Sequence, residues 1–377
     1  MGIRQGFQLL LFADASPAGR LPLNVQSPME HCRMSVSTLM RGLAGAVAVC
    51  VLAAVPAAAA TKLTVYTALE NEQLEPYKKA FEADNPDVEI QWVRDSTGII
   101  TAKLLAEKNN PQADVVWGVA ASSLILLDTQ NMLQPYAPKG VESIKANFKD
   151  TKATPTWVGM DAWMAAICFN TVEAEKRNLP RPASWADLLK PVYKGQIVMP
   201  NPASSGTGFL AVSGWLQMQG DKEGWKYMDG LDANVAVYTH SGSKPCKMAA
   251  SGEYPIGISI EYTGAQLKTK GAPIDVIVAQ EGSGWEMEAT AIVKGTKNLD
   301  AAKKLADWAA SKKANELYVN YYAVTAFPGV TKDVPNYPAN AEMMMIKKND
   351  FVWAAKNRDA ILAEWSKRYD AKSEPKK

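Results

Sequence analysis

The chain is predicted to be α/β because two kinds of pattern alternate along it. Short apolar runs rich in Val, Ile and Tyr are followed by segments whose apolar residues recur every three or four positions. The alternation occurs in two separate series, and most runs end in small or polar residues that suit a helix start. Parallel sheets covered by helices are built this way.

The first series runs from Leu63 to Leu127. Leu63–Tyr66 reads as a strand, and Leu74, Tyr77 and Phe81 mark the helix after it. Val88–Val93 is a second strand. Asp95-Ser96-Thr97-Gly98 then leads into a helix bearing Ile100, Leu104 and Leu105. Ala113–Val119 is a third strand, and Ala121-Ser122-Ser123 opens the helix of Leu124, Leu126 and Leu127. Trp157–Asn170 is mostly apolar and suits a crossing between domains. Ser184 caps a short helix ahead of the strand Gln196–Met199. The second series has Val235–Tyr238, a helix from Lys244, Tyr254–Ile260, a helix from Thr263, and Ile274–Ala279. Glu286–Val293 is a returning strand. From Leu299 the chain reads as helical, with Trp308, Leu317, Tyr321, Trp353, Ile361 and Trp365 as its buried markers. Ala371–Lys377 reads as a frayed tail.

Residues 1–60 read as a leader. Arg41 precedes the apolar run Gly42–Val55, and Ala58-Ala59-Ala60 is an A-x-A cleavage site. The run is shorter than the roughly 20 residues that span a bilayer. Residues 1–33 look like neither signal nor domain, which fits a mis-called start ahead of Met34 or Met40. The whole chain has 41 basic and 39 acidic residues. Cleavage after Ala60 removes Arg4, Arg20, Arg33 and Arg41 with Asp14 and Glu30, which leaves equal numbers of each sign. That balance excludes a nucleic-acid binder's charge. Cys168 and Cys246 remain, and an exported chain permits a disulfide between them without requiring one. His240 is the one histidine left, so a zinc site built on His and Cys is not expected.

One stretch stands out, Pro200-Asn201-Pro202-Ala203-Ser204-Ser205-Gly206-Thr207-Gly208-Phe209. It joins a strand to a helix whose face carries Leu210, Val212, Trp215 and Leu216. A helix start offers free N–H groups and partial positive charge, and small residues let an anion approach it. The plain alternative is a capped helix after a tight turn.

Ser184-Trp185-Ala186-Asp187-Leu188-Leu189, Tyr193-Lys194-Gly195-Gln196-Ile197-Val198-Met199-Pro200-Asn201-Pro202 and Ser204-Ser205-Gly206-Thr207-Gly208 resemble the ferric/thiamine/polyamine group of periplasmic solute-binding proteins, which serve ABC importers. Tyr66-Thr67-Ala68-Leu69-Glu70, His240-Ser241-Gly242-Ser243-Lys244-Pro245 and Gly284-Trp285-Glu286-Met287-Glu288-Ala289-Thr290-Ala291 are similar to its 2-aminoethylphosphonate-binding members. The resemblance implies a type II periplasmic-binding-protein fold, two α/β lobes with a hinge and a ligand cleft between them. Residues 61–166 with 288–377 would form lobe 1 and 167–287 lobe 2, with crossings near Cys168–Asn170 and Gly284–Glu288. It also implies a periplasmic monomer without cofactor or metal, whose partners are an aminophosphonate and the permease subunits of the inner membrane. It implies no enzyme and no nucleic-acid partner.

For such a ligand the phosphonate needs donors. Thr67, Ser96, Thr97, Ser122, Ser205, Gly206, Thr207, Ser241 and Ser243 are the candidates, mostly at helix starts. The ammonium needs carboxylates or aromatic faces, and Glu70, Glu261 and Glu288 stand beside Tyr66, Tyr262 and Trp285. Each Glu alone also reads as a solvated surface group. Glu288 differs, since it lies in an apolar strand at a proposed crossing. Two rival readings remain. A ferric, polyamine or thiamine binder would share the fold, and Tyr321-Tyr322 suggest iron ligands, although their helical spacing reads as core. A serine enzyme would use Ser241-Gly242-Ser243-Lys244, but no Ser-Asp-Asn or Lys-Thr-Gly follows it.

Overall fold

The computed structural model describes residues 59–375, so the expected leader lies outside the described residues except for Ala59 and Ala60. The first series folds as β1 (Thr61–Thr67), α1 (Asn71–Asp84), β2 (Val88–Arg94), α2 (Thr97–Ala106), β3 (Val115–Ala120) and α3 (Ala121–Thr129). Then come β4 (Val158–Asn170), α4 (Thr171–Lys176), β5 (Ile197–Pro200), α5 (Gly206–Gln219) and α6 (Asp221–Asp232). The second series continues with β6 (Val235–Thr239), α7 (Lys244–Ser251), β7 (Ile256–Ile260), α8 (Glu261–Thr269), β8 (Ile274–Ile277) and β9 (Trp285–Ile292). The carboxyl-terminal part holds α9 (Leu299–Ala309), α10 (Lys312–Tyr318), β10 (Val324–Thr325), α11 (Ala341–Met344) and α12 (Phe351–Tyr369).

The strands follow the order β2-β1-β3-β9-β4-β7-β5-β6, and β8 and β10 also pair with β4. β1 runs parallel to β2 and β3, while β9 lies antiparallel between β3 and β4. All of β4 is buried, which is why its sequence reads as one apolar run instead of an alternation. Its residues up to Met164 pair with β9, and those from Ala165 pair with β7 and then β8. The change of partner therefore comes earlier than the expected Cys168–Asn170. β9 begins at Trp285, where a second crossing was expected.

Aromatic side chains fill the cores on either side of that change. Trp117 packs against Tyr77, Trp92 and Trp308 beneath β1–β3. On the other side Trp215 packs against Trp185 and Tyr227. α12 belongs to neither alone: Phe351 at its start meets Trp285, and Trp365 near its end meets Tyr238 of β6. Asp350 caps it by accepting from Trp353 N–H at 2.9 Å.

Three features differ from the sequence reading. Residues after Tyr318 leave the helix, and Val324–Thr325 pair with β4 as β10, so Tyr321 is not a helical core residue. The tail is docked as far as it is described: Glu374 N–H donates to the Tyr238 carbonyl, and its carboxylate takes His240 N–H and the Lys244 ammonium. α6 escaped the periodicity reading altogether. The open question of the cysteines has an answer, since Cys168 and Cys246 form a disulfide with Cα atoms 5.3 Å apart. It ties β4 to α7 in a small apolar cluster with Ala249 and Ile274 and does not line the cleft described next.

Candidate ligand cleft

Helix starts from both series converge on one cavity. Ala68 and Glu70 precede α1, and Ser96 and Thr97 open α2. Across from them stand Ser205, Gly206 and Thr207 at the start of α5, with Gly242 ahead of α7. The turn before α5 folds as its sequence suggests, because the Ser205 hydroxyl caps the helix by accepting from Gly208 N–H at 3.2 Å. Gly98 N–H donates to the Ser204 carbonyl at 2.9 Å and joins the start of α2 to the start of α5. Two glycines make that approach possible. A Cβ on Gly206 would lie 2.7 Å from Thr97 Oγ1, and one on Gly242 would lie 2.5 Å from Thr207 Oγ1. Among the described residues the first two N–H groups of α5, on Gly206 and Thr207, have no protein acceptor. Free N–H groups, hydroxyls and helix dipoles aimed at one volume favour an oxyanion.

Charge at this wall is already arranged. Arg94, at the end of β2, lines the cavity and donates through Nε to the Leu69 carbonyl at 2.9 Å. Its Nη2 lies 3.6 Å from the Glu70 carboxylate. Lys247 Nζ is also 3.6 Å from Glu70, and the Ser243 hydroxyl donates to it at 3.1 Å. Glu70 is therefore matched by two cations and a hydroxyl that link the two sides of the cleft.

The floor is of another kind. Trp163 of β4, Glu288 of β9, Ile260 and Tyr322 form it. Glu288 is 6 % exposed, its Oε1 is 3.5 Å from the Tyr322 hydroxyl, and its Oε2 has no partner among the described residues. Trp163 Nε1 has none either. Burial, then the neighbouring charges of Glu70 and Glu261, push the Glu288 carboxyl up to about 8. Glu261 is raised to about 7 by burial, although the Tyr337 hydroxyl donates to it at 2.5 Å and Met164 N–H at 3.0 Å.

Of the residues expected from sequence, the cavity lining contains Glu70, Ser96, Thr97, Ser205, Gly206, Thr207 and Glu288. The others lie off it. The Tyr66 hydroxyl donates to the Glu107 carboxylate, and Thr67 Oγ1 accepts from Leu69 N–H at 3.1 Å. Ser122 N–H faces Glu286 at 3.3 Å. The Ser241 hydroxyl meets that of Ser243, and Tyr262 packs against Tyr321 and Tyr322 while accepting from Gln266. Glu261 is spent on Tyr337 and Met164. Lys244, the base of the serine-enzyme reading, holds Glu374 and not Ser241. Sequence reasoning missed Arg94, Trp163 and Tyr322. Arg94 reads as an ordinary strand-end charge. Tyr322 reads as core, although it follows α10 and turns its hydroxyl to Glu288. Among the described residues no group of three or more His, Cys, Asp or Glu side chains is placed to hold a metal ion, and no helix is long and apolar enough to cross a membrane.

A cleft lined by helix starts, between two series of strands that share one long strand, is the arrangement of a solute-binding protein. Residues 110–352 match the family described as bacterial extracellular solute-binding protein, and the chain belongs to that family. The solved periplasmic binding protein AfuA of Actinobacillus pleuropneumoniae, with fructose 6-phosphate bound, has the same type II fold. It superposes with a TM-score of 0.76 at 29 % identity, covering 82 % of this chain and 99 % of that one. A Sinorhizobium fredii protein, proposed by its name as the ABC transporter periplasmic-binding protein y4fP, is 29 % identical over 84 % of this chain and 88 % of its own. A Salmonella typhimurium protein, proposed by its name as a 2-aminoethylphosphonate-binding periplasmic protein, is 26 % identical over 70 % of this chain and 78 % of its own.

Proposed function

We propose that this chain is the extracytoplasmic receptor of an ABC importer and that it carries a small organic phosphonate or phosphate, with 2-aminoethylphosphonate as the ligand. The observation that carries the reading is the pairing of opposites in one cavity. Gly206 and Thr207 offer unused N–H groups beside Ser96, Thr97 and Arg94, and a buried carboxylate, Glu288, stands below them with an unused oxygen. The phosphonate sits on the starts of α5 and α2 and the ammonium points to Glu288. Charge-assisted hydrogen bonds contribute roughly 1.5–3 kcal/mol each, so four or five suffice for tight binding after the cost of association. The names of the Salmonella and Sinorhizobium relatives support the ligand and the importer respectively.

On this reading residues 61–166 with 288–377 and residues 167–287 are the two lobes, and they close as a hinge on the ligand. The contacts of Glu70 with Ser243 and Lys247, and of Gly98 with Ser204, then belong to the closed state. Export follows, with a mature end near Thr61. An intact mass of secreted protein that retains residues 40–60 would sink that part.

A hydroxylated phosphate ester is the second reading. Trp163 Nε1, a donor without a partner, lies beside Glu288, an acceptor without one, and such a pair suits a hydroxyl. The fructose 6-phosphate in the AfuA structure favours it. A thermal-shift screen separates the two, because a ligand of the folded state raises the midpoint by mass action. The panel is 2-aminoethylphosphonate, ethylphosphonate, fructose 6-phosphate, phosphate, putrescine, thiamine and ferric citrate. A shift with 2-aminoethylphosphonate well above that with ethylphosphonate is expected. A larger shift with fructose 6-phosphate supports the second reading, and a shift with ferric citrate or putrescine alone overturns both.

A further inference from the structure

Beneath the cleft floor lies a second carboxylate that the binding argument has not used. Asp161 is the one acid in the apolar run of β4, it is fully buried, and neither of its carboxylate oxygens has a partner among the described residues. Its register partner on β9 is Glu288. Residues directly opposite on antiparallel strands have Cβ atoms about 4.5–5.5 Å apart and project to the same face. The two carboxyl groups are thus neighbours, beside a bulge in the ladder between Gly159 and Asp161, and the Glu288 charge acts on Asp161.

Among the described residues no cation is paired with them. Glu261 and Glu70 stand nearest among the charged groups, from the starts of α8 and α1, and both are acids. Tyr77 of α1, Tyr262 of α8, Tyr318 of α10, and Tyr322 and Tyr337 after it also face the pair. Arg94 and Lys247 are engaged with Glu70. Two buried carboxylates without a cation do not both ionise, because the like charges repel in a medium that solvates neither. They keep at least one proton between them, as paired carboxyls do.

We propose that Asp161 and Glu288 form a proton-sharing pair that binds the ligand's amine by exchange: the ammonium enters the floor of the cleft and the shared proton leaves to solvent. The proposal rests on the phosphonate reading for the head of the ligand and adds the specificity of the tail. Charge balances, since one positive charge arrives and one departs. A cationic tail is accepted at no net cost in buried charge, while a neutral alkyl or hydroxyl tail leaves the proton in place. Asp161 sets the pair's ionisation without touching the ligand, so it is a positioning residue. Because the amine displaces a proton, its affinity rises with pH, by about tenfold per unit, until the pair is ionised in the empty protein.

Two measurements test this. Infrared difference spectra of wild-type protein should lose the carbonyl band of a buried protonated carboxyl on addition of 2-aminoethylphosphonate and keep it with ethylphosphonate. Calorimetry at pH 7 in PIPES and in imidazole, buffers of different ionisation heat, gives the protons released. Wild type should release more protons with 2-aminoethylphosphonate than with ethylphosphonate, and Asp161→Asn should release measurably fewer than wild type, because removing the neighbouring acid eases ionisation of Glu288 in the empty protein. Equal release by the two proteins, or a carboxyl band that persists with the amine bound, overturns the exchange. Should Asp161→Asn not fold, the infrared comparison on wild type decides by itself. If both ligands bind and the band never changes, the proton exchange fails while the phosphonate reading stands. If neither binds, the phosphonate reading fails and takes the exchange with it.

Discussion

The wall and the floor of the cleft recognise by opposite means. The wall is made of helix starts, and its donors are backbone N–H groups and small hydroxyls that carry no net charge of their own. Its charged members, Glu70, Arg94 and Lys247, already compensate one another. The floor is built mainly on strands, and its acid Glu288, with Asp161 beneath it, has no cation partner among the described residues. An oxyanion meets a wall that is ready for it at any pH above its own ionisation. A tail meets a floor whose charge depends on a proton. Affinity for the head is therefore a matter of local geometry, and discrimination of the tail is a matter of titration.

The largest expected effect concerns the floor in the empty protein. Burial raises the Glu288 carboxyl from 4.5 to about 8, so the folded state holds a proton that the unfolded chain gives up. The stability this contributes is whole below pH 4.5 and is lost as pH rises through about 8. Glu261, raised to about 7, acts in the same direction. Urea denaturation of the empty protein should show stability falling by a few kcal/mol between pH 5 and pH 8.5, since each proton is worth about 1.4 kcal/mol per pH unit. Glu288→Gln should flatten the upper part of that curve. A curve for wild type that is level or rises over this range contradicts the buried, proton-holding floor.

Next comes the distinction between head and tail. Glu288→Gln should weaken 2-aminoethylphosphonate by about 30- to 150-fold, or 2–3 kcal/mol, the range of a hydrogen bond to a charged group. Ethylphosphonate should be nearly indifferent. Equal losses for both ligands in calorimetry would reverse the assigned polarity of the ligand.

The wall should respond without regard to the tail. Gly206→Ala puts a Cβ 2.7 Å from Thr97 Oγ1 and holds the cleft ajar. Overpacking of this kind costs about 1–3 kcal/mol, here charged against the closed, bound state. Thr207→Ala removes one neutral hydroxyl and should cost roughly 0.5–1.5 kcal/mol. Both variants should weaken 2-aminoethylphosphonate and ethylphosphonate by the same factor. A loss confined to the amine in either variant would mean that the head is not held at α5.

How much of this was legible in the sequence follows from the same contrast. The wall could be read because its parts are contiguous: Ser205-Gly206-Thr207 is a cap, a gap and a donor within one turn, and Ser96-Thr97 is another. The strand and helix alternation was legible for the same local reason. The pairing of Asp161 with Glu288 depends on register between strands far apart in sequence, which no local pattern fixes. A signal did exist, since one acid in an unbroken apolar run is costly unless it has a partner or a purpose. The docking of α12 and the tail on Tyr238 was illegible too, because it depends on where a long helix ends in space. Sequence already set Glu288 apart from Glu70 and Glu261 by its apolar strand, and the partners of each separate them further.

Glu70 gives the smallest expected effect and the finest test of the comparison. Sequence offers it as a second carboxylate for the ammonium. In the structure it accepts from Ser243 and stands 3.6 Å from both Arg94 and Lys247, so its charge is spent across the cleft mouth. Lys247 is half exposed, and ion pairs with exposed partners contribute about 0–1 kcal/mol. Glu70→Gln keeps the shape, loses one link between the two sides, and leaves Arg94 and Lys247 with more positive potential toward the cavity. The lost link weakens closure and the gained potential favours the phosphonate, so the two changes oppose each other. Each ligand's affinity should therefore move by less than about fivefold, which is about 1 kcal/mol. The ratio of 2-aminoethylphosphonate to ethylphosphonate affinity should not fall, because the tail is held at the floor and loss of the Glu70 charge eases ionisation of Glu288. Measuring that ratio at pH 7 for wild type and Glu70→Gln in low and high salt isolates the effect, since screening removes the potential and leaves the ratio alone. A tenfold fall in the ratio would make Glu70 a tail carboxylate, and the division of the cleft into a neutral wall for the head and an acidic floor for the tail would have to be redrawn.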